Sequence, residues 1–274
     1  MLLGGLPVLI RIGLSPDLLH LGGLMVTWHS LITALSVVLA VYLIGRWGKR
    51  AGLEASVVSS VAMWAIPGGI VGARLVYIID NWGFYSANPG QIVAVWSGGI
   101  AVYGAIAGGV LAGGAYALWK RYPVRRLLDL SAPGLVLAQG VGRIGDLING
   151  EHFSTPSDLP WAVVYTHPAS PGFGMPPTHP SVGYEMLADL ALFGLLWLAR
   201  GRLRPEGALF ALYAALYAIV RLAFSPLRLD SNSYALGLSQ QGWISVVVLA
   251  GAMVALLYLR PRFGKALSEA RVAS

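Results

Sequence analysis

The chain has no cysteine. Disulfides, thiolate catalysis and cysteine-bound metals are therefore excluded from its own chemistry. Charge is nearly as scarce: 11% of the 274 residues are Asp, Glu, Lys or Arg, against about a quarter in a soluble domain. No G-x-S-x-G, GxGD or H-E-x-x-H pattern occurs, which argues against an intramembrane protease. No internal repeat is evident either, and that weakens an inverted-repeat transporter reading. A basic start is missing from the N-terminus, and Pro7, Arg11 and Pro16 interrupt its apolar run, so it does not read as a cleaved signal peptide.

What the chain does have is apolar length. It is 56% hydrophobic, with a mean hydropathy of +0.68. Runs such as Val26 to Gly45, Ser181 to Ala199 and Gln241 to Leu259 approach the roughly 20 residues that cross a bilayer. The fold class expected is an all-α polytopic membrane protein.

Basic residues set the orientation. Arg46, Lys49 and Arg50 follow one apolar run, and Lys120, Arg121, Arg125 and Arg126 follow another. Arg200, Arg202 and Arg204, then Arg260, Arg262, Lys265 and Arg271, close two more. Clusters after every second span are the positive-inside pattern. It predicts seven transmembrane helices, at about 24–45, 55–80, 91–119, 127–147, 180–199, 206–225 and 241–260. The N-terminus is then outside and the C-terminus cytoplasmic. Residues 149–179 form a small extracytoplasmic cap on a single membrane domain spanning 1–274, and 226–240 form a shorter loop. The pI near 9.8 thus reports topology and contact with membrane lipid, and no nucleic acid partner is expected.

Glycines recur four apart at Gly68 and Gly72, Gly104 and Gly108, and Gly109 and Gly113, a spacing that lets helices approach closely in lipid. Gly98-Gly99 could instead open a helix end. Glycine-rich helices two and three could also flank a lateral gate.

Outside the basic clusters stand Arg11, Arg74, Arg143, Arg221 and Arg228. Arg11 reads as solvated or interfacial. The other four fall towards the external halves of their helices, where an arginine is costly unless it finds a polar partner. Together they suggest an anion site, with phosphate the natural ligand for a guanidinium fork. The competing reading is snorkelling or buried ion pairing, with Asp80 or Asp146 as partners for Arg74. Gly142 and Gly145 flank Arg143 and strip away bulk, which would leave it accessible to a ligand. The match of Gly140 to Gly145 with G-x-G-x-x-G carries no weight, because no strand precedes it.

Glu185 and Asp189 lie one turn apart in an apolar helix and call for arginine or hydroxyl partners, or neutrality. Asp129 suits a helix N-terminus. His152 and His167 read as solvated cap residues, and His179-Pro180 as the opening of a helix. Most tryptophans read as interfacial anchors, with Trp161 set apart as a functional candidate.

GRIGDLINGE (142–151), then DLPWAVVY and THPSVGYE, resembles the signature of the bacterial prolipoprotein diacylglyceryl transferases, which runs roughly GRIGN-F-x-N-G-E, DLPWG and HPSQLYEA. VTWHSL, GARLVYII, WSGGIAVYGAIAGG and LSQQGWIS are similar to further family blocks in the same order, from about 26 to 245. The resemblance implies transfer of the diacylglyceryl group of phosphatidylglycerol to the lipobox cysteine of a preprolipoprotein signal peptide, with release of glycerol phosphate. It also implies a multi-pass protein of the bacterial inner membrane, with neither cofactor nor metal.

By position, Arg143 and Arg221 match family arginines that contact the lipid phosphate, while Asn149, Gly150 and Glu151 match the end of the signature. Glu151 either orients Arg143 or acts as base. Three positions depart from the family pattern. Asp146 replaces asparagine and either holds Arg143 by an i,i+3 contact or is protonated, Tyr103 replaces a histidine proposed as base, and Ser225 replaces a glutamate. Tyrosine, with an unperturbed pKa of about 10, is a poor base at neutral pH. His29, where the family has tyrosine, is a chemical substitute, or else a hydrogen-bonded structural histidine. The rival functions are an anionic-solute transporter and a catalytically weak relative that binds lipid or lipoprotein.

Overall fold

The computed structural model describes residues 9–21, 24–93, 101–229 and 237–263, and of Leu21, Leu24, Ala55, Val102 and Tyr103 the backbone alone. Gly98-Gly99, Lys265, Arg271 and residues 230–236 of the 226–240 loop fall outside the described residues.

The chain is mostly helical. In order, α1 is Trp28–Arg50, α2 Ala55–Asp80, the short α3 Trp82–Ala87, α4 Val102–Trp119, α5 Val124–Asn149, α6 Ser181–Ala199, α7 Ala208–Phe224 and α8 Gln240–Leu259. Five of these helices are long and apolar enough to cross a membrane: α1, α2, α6, α7 and α8. Their uncovered faces are themselves apolar, as at Leu35 and Val38 of α1, and Val247, Val254 and Leu257 of α8. Such surface would cost about 25 cal/mol per Å² in water, whereas lipid accepts it. This is a multi-pass membrane protein.

Three expectations are corrected. The first long helix begins at Trp28, because residues 24–27 are a strand, and helix α4 begins at Val102 rather than near 91. Nor is the chain purely helical. β1 (Ile10–Ile12) pairs in parallel with β4 (Val163–Tyr165) inside the 149–179 segment, β2 (Asp17–Leu21) forms a hairpin with β3 (Leu24–Thr27), and β5 (Leu203–Arg204) pairs with β6 (Arg262–Phe263). Runs this short carry too few alternations to register as strands in an apolar sequence.

Two compact units emerge, residues 41–127 and residues 1–40 with 128–274. In the first, α2 and α4 meet backbone to backbone. A Cβ added at Gly72 would strike the carbonyl oxygen of Gly104, and one at Gly108 that of Gly68, as the four-residue spacing predicts. Gly72→Ala should therefore cost roughly 1–3 kcal/mol by overpacking. Read as thermal melting in detergent, that is a drop of a few degrees. Gly114→Ala, which meets nothing within 4 Å, should not lower the melting point. Equal behaviour of the two variants would refute this packing.

The second unit packs α5, α6 and α7 around Ala132, Val136, Leu192, Leu196, Leu209 and Tyr213. Asp129 does serve a helix N-terminus, though not that of its own helix. Its oxygens accept the N–H groups of Gly207 (2.8 Å) and Phe210 (2.9 Å) at the start of α7. This contact pins α5 and α7 at one end and orients the polar residues further along both helices.

Candidate active site

The last two turns of α5 carry Arg143 and Asp146 on one face, because three residues make nearly one helical turn. Their side chains meet at 2.9 Å, the i,i+3 contact anticipated from the sequence. The second terminal nitrogen of Arg143 lies 2.5 Å from Glu185 Oε2 on α6. Arg221, in the last turn of α7, reaches Glu185 Oε1 at 2.6 Å and Gln241 Oε1 of α8 at 2.5 Å. Arg228 lies 3.5 Å from the same Oε1. One carboxylate, 2% exposed, thus gathers three guanidinium groups from α5, from α7 and from the segment that follows α7.

Asp146 is a second hub. Its Oδ1 is 2.6 Å from His29 Nδ1 of α1, and its Oδ2 is 3.5 Å from His152 Nε2. The other ring nitrogen of His152 accepts from Arg228 at 2.8 Å. The expectation of a solvated His152 is therefore corrected: it is drawn between Arg228 and Asp146. Glu151 Oε1 lies 3.8 Å from His29 Nδ1, so its described neighbour in the site is His29. The arginines outnumber the two carboxylates that touch them, Glu185 and Asp146, and the surplus favours an added anion.

Two glycines of the signature, Gly145 and Gly150, serve packing. A Cβ at Gly145 would lie 2.8 Å from His29 Cα, and one at Gly142 would lie 3.8 Å from Ser36 Oγ. Gly145 presses on α1, so the expectation that it clears space for a ligand beside Arg143 is corrected, whereas a Cβ at Gly142 would make only an ordinary contact. Gly150 has φ +73°, and a Cβ there would meet Ser170 Oγ at 2.5 Å. Around this turn, Ser170 donates to the Asn149 carbonyl and Tyr165 to that of Leu147. Burial, aided by the Asp146 charge, pushes the Tyr165 hydroxyl up to about 12, so it remains a donor.

Among the described residues, Asn149 Oδ1 and both oxygens of Asp189 are buried without a hydrogen-bond partner. Glu185 thus finds the arginine partners expected of it, while Asp189 does not find them within hydrogen-bonding distance. Ser225 lies 3.4 Å from Ser239, whose side chain caps α8 by accepting from Gly242 N–H. Trp161 donates to Tyr184 at 2.8 Å, and His179 is 3.4 Å from the same hydroxyl.

Arg74 belongs to the other unit. Its described contacts are the carbonyls of Ile92 (3.0 Å) and Gln91 (2.5 Å) and the ring of Tyr85. The side chain of Tyr103 lies outside the described residues.

His29, Asp146 and Glu151 each offer one ligand atom within 4.8 Å of the others, enough to consider a metal. The 2.6 Å separation of Nδ1 and Oδ1 fits one shared proton. Two ligands bound at about 2.0–2.2 Å around a tetrahedral ion would stand further apart.

Residues 16–258 match the family described as prolipoprotein diacylglyceryl transferase. The chain belongs to this family. It is 38% identical over 254 residues to the phosphatidylglycerol–prolipoprotein diacylglyceryl transferase of Frankia alni, covering 90% of this chain. The proteins of the same name from Nostoc sp. and Dehalococcoides mccartyi are 35% and 33% identical. The chain spans 66% of the Frankia protein's length, but 91% and 95% of the other two. Every residue around Glu185 and Asp146 lies within the matched span.

Sequence reasoning left Glu185 and His152 out of the site. Glu185 carried a usable signal, since a carboxylate inside an apolar helix needs a cation and the four arginines Arg74, Arg143, Arg221 and Arg228 were unassigned. His152 carried none, because its partners are 76 residues away in Arg228 and across the turn in Asp146.

Proposed function

We propose that this chain transfers the diacylglyceryl group of phosphatidylglycerol to the lipobox cysteine thiol of a preprolipoprotein, forming a thioether and releasing glycerol phosphate. It does so in the bacterial inner membrane, with α1, α2, α4, α5, α6, α7 and α8 as seven spans, the N-terminus outside and the cap extracytoplasmic. The observation that carries this reading is the convergence of Arg143, Arg221 and Arg228 on buried Glu185, in a chain of this family.

The chemistry follows from the residues. The sulfur comes with the peptide, which suits an enzyme without cysteine. The lipid phosphodiester brings one negative charge, and its departure as a phosphate monoester adds another. Fixed guanidinium groups in a water-poor site stabilise that developing charge without reorganising. Glu185 holds the forks in place before the lipid arrives, and the phosphate then joins it or takes over part of its contacts.

The test incubates purified protein with phosphatidylglycerol and a lipobox peptide and measures water-soluble glycerol phosphate. Release should require the peptide thiol and vanish when its cysteine is serine. Release independent of the peptide would make the protein a lipase, and no release from folded protein would leave a binding relative.

A further inference from the structure

Thioether formation must remove a proton from the acceptor thiol, and the three guanidinium groups cannot accept it, since arginine only donates. The carboxylate and imidazole side chains around them are Glu185, Asp189, Asp146, His152, Glu151 and His29, and Asp189, 1% exposed, is out of a peptide's reach. Asp146 is engaged at both oxygens, by His29 and by Arg143. His152 receives the Arg228 N–H at Nδ1, so its ring proton sits on Nε2, towards Asp146, and no lone pair is left over.

His29 differs. Its Nδ1 lies 2.6 Å from a carboxylate oxygen, and a carboxylate only accepts. Nδ1 therefore carries a proton, and in the neutral imidazole Nε2 presents a lone pair. The side chain is 39% exposed, so a substrate can reach it. Gly145 fixes the backbone as well, because it lets α5 press against His29 Cα. The charged and titratable groups facing His29 are Asp146, Glu151 and His152.

We propose that His29 Nε2 takes the thiol proton, with Asp146 as the positioning residue that holds its tautomer and orientation. This rests on the transferase reading above. The proton passes from sulfur to Nε2, and the sulfur attacks the glyceryl carbon bonded to the phosphate oxygen. That C–O bond breaks as the C–S bond forms, and its electron pair leaves with glycerol phosphate. The imidazolium then returns its proton to water or to the phosphate. Asp146 also binds Arg143, so one carboxylate sets both the phosphate clamp and the proton acceptor.

The experiment uses the full chain with phosphatidylglycerol in mixed micelles and a lipobox peptide. It compares wild type, His29→Ala, His29→Gln and Glu151→Gln. Glutamine keeps an N–H for Asp146 and lacks a basic nitrogen, so it guards against mere misfolding. Both His29 variants should lose about 10²–10³-fold in kcat, the usual scale for a general base, while KM for the lipid stays within about threefold. Added imidazole should restore His29→Ala at least about tenfold.

The proposal is overturned if either variant keeps kcat within about threefold of wild type. It is also overturned if the loss appears in KM, if imidazole restores nothing, or if Glu151→Gln alone abolishes turnover. A wild type that transfers nothing defeats the transferase reading and this assignment with it. An active wild type beside an undiminished His29→Ala defeats this assignment alone.

Discussion

Glu185→Gln will lower the melting temperature by on the order of 10 °C, and it will abolish transfer. The carboxylate is 2% exposed and lies within 3.5 Å of three guanidinium groups. Glutamine keeps the volume and one acceptor oxygen but leaves the cations uncompensated. Removing one partner of a buried ion pair typically costs 3–5 kcal/mol, and each kcal/mol shifts a large domain by roughly 2–4 °C. Inorganic phosphate should recover part of the loss, because an anion seated among the arginines replaces the missing charge. Thermal melting of detergent-solubilised protein, with and without phosphate, makes the comparison. An unchanged melting point would mean that the three arginines are held by something other than Glu185.

Arg143→Ala is the second large effect, at about 10²–10³-fold in kcat, the loss typical of removing one donor to a developing oxyanion. Arg143→Lys should recover little of it. The guanidinium bridges Asp146 at 2.9 Å and Glu185 at 2.5 Å from two different nitrogens, and a single ammonium cannot reproduce that fork. Arg221 also bridges two partners, Glu185 and Gln241, so Arg221→Lys should behave alike. Steady-state rates of glycerol phosphate release read both. Lysine variants within about threefold of wild type would show that charge alone suffices and the fork does not matter.

These effects depend on contacts that a linear reading reaches unevenly. Helices α1, α2, α6, α7 and α8 announce themselves, because lipid demands long unbroken apolar runs. Helix α5 is harder. It carries Arg125, Arg126, Asp129, Arg143 and Asp146 across 26 residues, and its polar residues turn inward, as at buried Asp146 and Asn149. The β2–β3 hairpin was missed because Leu24 to Thr27 reads as the start of the apolar run that continues into α1. Its register is set by pairing with Asp17 to Leu21, and composition does not show that.

The site was legible in its charges and less so in its pairings. Arg143, Arg221 and Arg228 stood out by subtraction from the cytoplasmic clusters, and Asp146 by its spacing from Arg143. Which carboxylate gathers the arginines depends on how α6 lies between α5 and α7, a matter of tertiary packing. His29 was visible only as a substitution, and its alignment with Asp146 depends on how closely Gly145 lets the helices approach.

The most direct measurement of the central claim is the intact mass of the lipobox peptide after the reaction with phosphatidylglycerol. The account predicts a single adduct of one diacylglyceryl group, resistant to hydroxylamine as a thioether, formed by wild type and absent with Arg143→Ala. An adduct of one fatty acyl group, cleaved by hydroxylamine, would contradict it, as would an unmodified peptide from folded protein.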